Sequence, residues 1–418
     1  MTGSSGRAAD AIVLGAGVIG VATTHALQQA GLSVCLVDQA DAPARGASFA
    51  NGGQLSYAYT DALASPALLG RIPALALGLD PLFRLKAGFD PAFYGWLLSF
   101  LRNMTAARFE RNTLAVLDLA LDSQHAMAAL LARHPIAFDH AVPGKMHLHY
   151  SRAALDAAAR TMAIKQRYGA VQQILTRAEA IAIEPALERN DGFVGVVYSP
   201  TDAVGDARRF SEELLGVCRA NGGVETRFGF TVARIERRSP TQGFVLHGTD
   251  GAAVSGRRLI LCAGADSARL GRALGLRLPV QPMKGYSFTA RPGPDAPRVS
   301  ITDTKRKLVF CRFGETIRVA GLADLGVRSI TADPLRSAFL RRLADAALPG
   351  AIDQDSIHGE WAGLRPMTPF SSPIIRWVDN RLAVNVGHGM LGWTLALGSA
   401  RRLARALPAI TEKDNSVP

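Results

Sequence analysis

The sequence predicts an α/β protein with a parallel sheet, a second, mainly antiparallel sheet and a helical insertion. Three observations predict it. An apolar run, Ala11 to Leu14, enters a glycine turn and then a helix-patterned stretch, Val18 to Ala30. Arg258 to Gly264 is a continuous apolar run, as a strand buried on both faces requires. The segments Tyr286 to Thr289, Leu308 to Phe313 and Thr316 to Ala320 alternate in polarity around the Pro- and Gly-rich loop Arg291 to Pro297, the pattern of a half-covered antiparallel sheet.

The first unit runs from Ala11 to Asp38. In Gly15-Ala16-Gly17-Val18-Ile19-Gly20, Gly15 permits the turn, Gly17 admits a pyrophosphate to the backbone, and Gly20 lets helix and strand pack closely. A second apolar run, Leu32 to Val37, ends in Asp38, at the spacing needed to take a ribose hydroxyl. This is a Rossmann-like dinucleotide unit, and Asp38 favours a free 2′-hydroxyl, as in FAD or NAD, over NADP. Pro43 to Thr60, rich in glycine, serine and asparagine, reads as an extended site loop. Residues 61–134 read as a helical insertion, with clear periodicity from Leu114 to Leu131.

Beyond it come a strand at Lys145 to Tyr150, a helix at Ala153 to Tyr168, a strand at Phe193 to Tyr198 and a helix at Asp206 to Ala220. Val224 to Ile235 and Gly243 to His247 read as strands, with Asp250-Gly251 as a hairpin turn. A helix at Leu335 to Leu348, a strand at Leu382 to Val386 and a long helix from Leu391 to Leu407 complete the chain.

The chain has 418 residues and a formal charge of +12. Its basic residues are scattered single arginines without a polybasic block or aromatic interleaving, which argues against nucleic acid as a partner. Cys35, Cys218, Cys262 and Cys311 lack metal-like spacing and read as reduced core residues of a cytoplasmic protein. Met1 to Ala9 reads as a polar tail, too short to hold a cleaved secretion signal ahead of the first strand. No apolar run reads as a bilayer span. Leu63 to Leu79 and Phe93 to Leu101, beside Arg84, Lys86 and Arg102, admit a peripheral contact with the inner face of a membrane, although packing on the core is the favoured reading.

Gly387-His388-Gly389-Met390-Leu391-Gly392-Trp393-Thr394 follows a buried-looking strand and opens a helix, again the geometry of an anion site at a helix N-terminus. A simple compact turn is the competing reading. Taken with Gly15 to Gly20, Ala47 to Ser56, Pro282-Met283-Lys284-Gly285-Tyr286-Ser287 and Ala362-Gly363-Leu364-Arg365-Pro366-Met367-Thr368-Pro369, this motif resembles the FAD-dependent D-amino acid dehydrogenases, within the D-amino acid, glycine and sarcosine oxidase family. The resemblance spans nearly the whole chain in the same order. It implies a discontinuous FAD-binding domain at residues 10–60, 151–275 and 361–418, and a substrate domain at 61–150 and 276–360.

It also implies site residues. Arg365 matches the family's carboxylate-binding arginine, which suits the role through its two-pronged geometry; a structural bridge to Glu360 or Asp379 is the competing reading. Tyr57, Tyr59 and Tyr286 could supply a hydroxyl to the carboxylate or close the pocket. His388 joins this set by position, assigned to lining flavin and pocket and not to acting as a base. Non-covalently bound FAD is expected along Gly15, Gly17, Val18, Ile19, Gly20, Asp38, Gln39, Arg45, Ser48, Asn51, Gly52, Gly53, Gln54, Leu55, Val232, Ala263, Gly264, Gly387, His388, Gly389, Leu391, Gly392, Trp393 and Thr394, with no metal. The implied reaction is oxidative deamination of a D-amino acid, electrons passing to a quinone or other carrier. Oxidation of glycine, sarcosine or a cyclic imino acid, and an electron-transfer subunit, are the alternatives. Lys305-Arg306-Lys307 is unusually basic; at the pocket mouth it would favour a polar or acidic substrate.

Overall fold

The computed structural model describes residues 8–86, 88–238 and 243–409; apart from Ala8 and Ala9 the expected N-terminal tail lies outside them. The first sheet has five parallel strands, in the order Val224–Arg227, Val34–Val37, Ala9–Leu14, Ala253–Leu261 and Leu382–Val386. Strand Ala253–Leu261 is shared: its first half pairs antiparallel with Phe244–Gly248, itself paired with Val232–Arg237, and its apolar second half lies between Ala9–Leu14 and Leu382–Val386. One face of this sheet is covered by helices Val18–Gln29, Ala207–Ala220 and Gly392–Arg405, whose Val21, Phe210 and Leu397 share a core with Val13 and Ile260. The antiparallel strands cover the other face, where Phe244 and Leu246 meet Ile12 and Leu14.

The second sheet runs His358–Met367, Gln281–Ala290, Thr316–Leu325, Leu308–Phe313, Ser300–Asp303, Lys145–His149, Gly195–Ser199 and Gln173–Thr176, with Phe83–Leu85 added beside Thr316–Leu325. It is mainly antiparallel, as its alternating sequence predicts. Three of its strands correct the boundaries expected from sequence. Gln173–Thr176, Gly195–Ser199 and His358–Met367 fall within 151–275 or 361–418 by sequence or overlap them, yet all pair in this second sheet. The local pattern marks Gly195–Ser199 as a strand, expected at Phe193 to Tyr198, but the pairing partner is set by long-range register, which no local pattern encodes.

The insertion is mostly helical, with Pro91–Arg102 and the 28-residue Ala106–Arg133, but it also holds the edge strand Phe83–Leu85. Ala106–Arg133 has the length and apolarity of a bilayer span, a reading the sequence did not suggest. Its Ala126, Met127 and Leu130 instead close the first core, and Arg402 of the closing helix pairs with its Asp118 and Asp122. The four cysteines are buried and free, as expected.

Candidate active site

Between the two sheets lies one continuous cavity of about 1330 Å³. At one end its wall is main chain. Gly15 has φ of +110°, and a Cβ there would fall 2.5 Å from the Cys262 carbonyl oxygen. Helix Val18–Gln29 begins at Gly17 with no side-chain cap and no acidic residue in its first turn, leaving its positive end toward the cavity. Ser48 anchors the turn by accepting the Val18 N–H at 3.0 Å. Asp38 accepts the Ala16 and Ala40 N–H groups at 2.6 and 2.8 Å, which orients its carboxylate at the cavity wall; each oxygen keeps a lone pair for a hydroxyl donor.

Helix Gly392–Arg405 brings a second uncapped N-terminus to the same cavity, again without an acid in its first turn. Helices Pro91–Arg102, Arg152–Gln166, Ala207–Ala220 and Pro334–Ala347 are, by contrast, each capped by a side chain. Two helix ends with no N-cap side-chain bond and no acid in the first turn, a glycine cradle and an acid at the ribose position fit a long, doubly anionic dinucleotide.

Arg365 lies on strand His358–Met367, facing Met283 across the pair. Its guanidinium lies over Gly285, where a Cβ would come within 2.2 Å of Nη2, and donates to the Leu322 carbonyl at 3.1 Å. That carbonyl is positioned by an irregularity: between Lys284 and Tyr286 the register with Thr316–Leu325 shifts, and Leu322 takes φ of +58°. A bulge of this kind re-aims main-chain groups at a site. Burial draws the Arg365 pKa down to about 10, opposed by the Asp324 charge, so the group stays cationic near neutrality. The structural bridge weighed from sequence is not formed: Glu360 pairs with Arg341, and Asp379 with Arg237. Among the described residues Arg365 has no carboxylate within ion-pair distance.

Tyr286 lines the cavity, but its hydroxyl donates to Asp324 at 2.8 Å, and Asp324 is held in turn by Arg336 at 2.5 Å. It therefore serves as a fixed wall. His388 also lines the cavity; burial lowers its pKa to about 3, and its Nε2 has no partner among the described residues. A neutral imidazole agrees with lining and not with proton transfer at ordinary pH.

Most of the expected cofactor residues reach the cavity wall: Gly15, Gly17, Val18, Ile19, Asp38, Gln39, Arg45, Ser48, Asn51, Gly52, Gly53, Gln54, Val232, Ala263, Gly264, His388, Gly389, Leu391, Gly392 and Trp393. Five other expected residues are not on it. Gly20 is a packing contact, since a Cβ would meet the Gly15 carbonyl oxygen at 1.7 Å. Leu55 and Tyr57 are packed into the first core. Gly387, with φ of +79°, makes the turn itself, and Thr394 accepts the Ser56 N–H at 2.9 Å.

Tyr59 takes the place in the wall expected of Tyr57, stacked on His147 at 3.4 Å with Lys145 and Lys165 over its ring. Lys145 and His147, on one face of strand Lys145–His149, went unremarked in the sequence, although their two-residue spacing was the available signal. The basic triplet is largely neutralised: Arg306 pairs with Asp303, and Lys307, at the wall, with Asp80.

Fold and site together define a dinucleotide-binding protein whose cavity wall also carries a buried guanidinium with no carboxylate partner among the described residues. The family described as FAD dependent oxidoreductase (DAO) matches residues 10–406, and the chain belongs to it, with FAD as cofactor. It is 36% identical over 415 residues to a D-amino acid dehydrogenase of Phenylobacterium zucineum (strain HLK1), covering 97% of this chain and 96% of that one. A D-amino acid dehydrogenase of Paramagnetospirillum magneticum (strain ATCC 700264 / AMB-1) is 37% identical, with 94% and 93% covered. Among solved structures, glycine oxidase from Geobacillus kaustophilus shares the fold with a TM-score of 0.75 at 21% identity, covering 96% of this chain and 95% of that one. L-proline dehydrogenase from P. horikoshii shares it at 0.74 and 14%, covering 96% and 93%.

Proposed function

We propose that this protein removes hydride from the α-carbon of a D-amino acid, giving an imino acid that water converts to the 2-oxo acid and ammonia, and passes the electrons to a quinone or comparable carrier. The observation that carries this reading is Arg365: a desolvated guanidinium at the cavity wall, held by one carbonyl and, among the described residues, without a carboxylate at ion-pair distance. Such a group is matched by the planar carboxylate of an amino acid.

Bound FAD supplies the two-electron acceptor for the α-hydrogen. Arg365 binds and orients the substrate carboxylate, Gly285 leaves the guanidinium its space, and the Leu322 carbonyl sets its angle. Tyr286, locked by Asp324 and Arg336, walls the pocket and excludes water. His388 stays neutral and lines the pocket without taking a proton. The uncapped end of helix Gly392–Arg405 favours negative charge at its end of the cavity. Cys262, the one cysteine on the wall among the described residues, lies beside Gly15 at the nucleotide end, in keeping with non-covalent binding.

The preference for the D hand follows the sequence relatives, since the fold is shared with proteins named for glycine and for L-proline. A cytoplasmic protein held at the inner face of the membrane would meet a quinone there.

Anaerobic mixing of the holoenzyme with a panel of D- and L-amino acids tests the reading. Flavin absorbance should bleach with D members only, then return slowly with oxygen and quickly with a quinone analogue. Bleaching by no member would favour an electron-transfer subunit. Bleaching confined to glycine, sarcosine or cyclic imino acids, with fast return in oxygen, would favour an oxidase.

A further inference from the structure

Strand Lys145–His149 carries a buried cation to which the proposed reaction gives no task. Lys145 is 4% exposed, stands on the cavity wall and, among the described residues, has no carboxylate within ion-pair distance. Its Nζ donates to Ser56 Oγ at 2.6 Å, with no further acceptor among the described residues for its other N–H groups. A desolvated, unpaired ammonium is costly to keep unless something answers its charge.

The substrate held at Arg365 does not answer it. Four strand intervals separate Lys145–His149 from Gln281–Ala290, where the Arg365 guanidinium lies over Gly285, about 19 Å along the sheet at the usual spacing. One small amino acid does not span the two cations. What Lys145 does reach is the N-terminus of helix Gly392–Arg405. Its partner Ser56 donates its own N–H to Thr394 Oγ1 at 2.9 Å, and Thr394 is the third residue of that helix. The ammonium therefore adds a full charge beside the partial positive charge of a helix end that opens on the cavity.

The groups around Lys145 leave that charge standing. Lys165 is paired with Asp61 at 2.7 Å. Burial lowers the pKa of His147 and of His149 and so keeps both neutral near pH 7; it raises the Tyr59 hydroxyl, whose ring lies 5.2 Å from the ammonium, and pushes the Cys311 thiol up to about 12. Asp202, raised by burial to about 6, is the one acid that supports the ammonium without being paired elsewhere, but it accepts the Ala58 N–H and is not part of the wall. On the cavity side Lys145 faces only what the cavity holds.

We infer that Lys145, reaching in from the second sheet, raises the reduction potential of bound FAD by offsetting, together with the helix end, the negative charge that the cofactor gains with two electrons. The inference rests on the proposed reaction only for the source of those electrons. Lys145 acts here as a positioning residue for charge, through Ser56 and the helix end. Burial draws its pKa down to about 8, opposed by the Asp202 charge. The cation, and with it the raised potential, is present below about pH 8 and lost above it.

The test is a spectroelectrochemical titration of the holoenzyme with no amino acid present. In Lys145→Met the midpoint potential of FAD should fall by at least about 30 mV near pH 7, a ten-fold loss in the stability of the reduced form for a two-electron couple, with FAD content unchanged. Lys145→Arg keeps the charge and should recover most of the difference. The gap between the unaltered protein and Lys145→Met should close as the pH is raised from about 7 to about 10, because deprotonation removes the charge that the variant lacks. An unchanged potential in Lys145→Met, or an equal fall in the Met and Arg variants, overturns the inference and leaves Lys145 a packing residue. If Lys145→Met does not hold FAD, the unaltered protein decides: its potential should fall more steeply with pH just above about pH 8 than below it, and a straight line through that range overturns the inference. No substrate enters the titration, so a wrong assignment of the reaction would leave it readable.

Discussion

At the nucleotide end the cavity is walled largely by main chain: glycines, two helix ends whose N-cap residues supply no side-chain cap, and a loop whose Ser48 ties back to the backbone. At the substrate end it is walled by side chains from separate strands, with Arg365, Tyr286 and Lys145 contributed by three members of the second sheet. Backbone recognises a phosphate whatever residues flank it, so the first end needs only space and a dipole. The second end must place charges, and each placement leans on a neighbour: Arg365 on Gly285 and Leu322, Tyr286 on Asp324. The two ends should therefore fail differently when altered.

The largest effect is expected at the nucleotide end. Gly20→Ala places a methyl on the Gly15 carbonyl, a main-chain neighbour that cannot swing aside. We expect about 3 kcal/mol or more of lost stability in denaturant unfolding, with loss of bound FAD. If the variant retains both, helix and strand are not packed through that glycine.

At the substrate end Arg365→Leu should spare the fold and the cofactor and lower kcat/KM by about 10²- to 10³-fold, the cost of leaving a substrate carboxylate unpaired in a desolvated site. Gly285→Ala is smaller and more telling, because it touches no substrate. Its methyl displaces the guanidinium, and a rise in KM of about ten-fold with flavin content unchanged is expected. Unchanged kinetics would mean that Arg365 works from another position.

The smallest effect is expected from His388→Asn. Burial holds the imidazole neutral down to about pH 3, so it changes charge nowhere between pH 5 and 9. The pH profile of kcat/KM should keep its shape in the variant; the loss of a limb near neutrality would make His388 the base.

The same contrast explains what could be read from the chain. The glycine turns and Asp38 were legible because their demands are local: a positive φ, a close approach, an acid at the end of a strand. Arg365 was legible through the resemblance, and its freedom from Glu360 and Asp379 only in three dimensions, where those acids meet Arg341 and Arg237. Tyr57 and Tyr59 are two residues apart and were inseparable without knowing which entered the core. The bulge at Leu322 had no local signal, since a leucine at φ of +58° is held by the sheet around it. Strands Gly195–Ser199 and His358–Met367 were misallocated for a related reason, as they join the second sheet through Lys145–His149 and Gln281–Ala290, 46 or more residues away.

Arg365 is the proposed carboxylate anchor of a site whose nucleotide end stands independently. Anaerobic single-turnover reduction of the Arg365→Leu holoenzyme over a range of D-amino acid concentrations tests this most directly. The variant should keep the flavin spectrum and FAD content of the unaltered protein, with half-saturation moved up by about 100-fold or beyond reach. Reduction at an unchanged concentration and rate would contradict it.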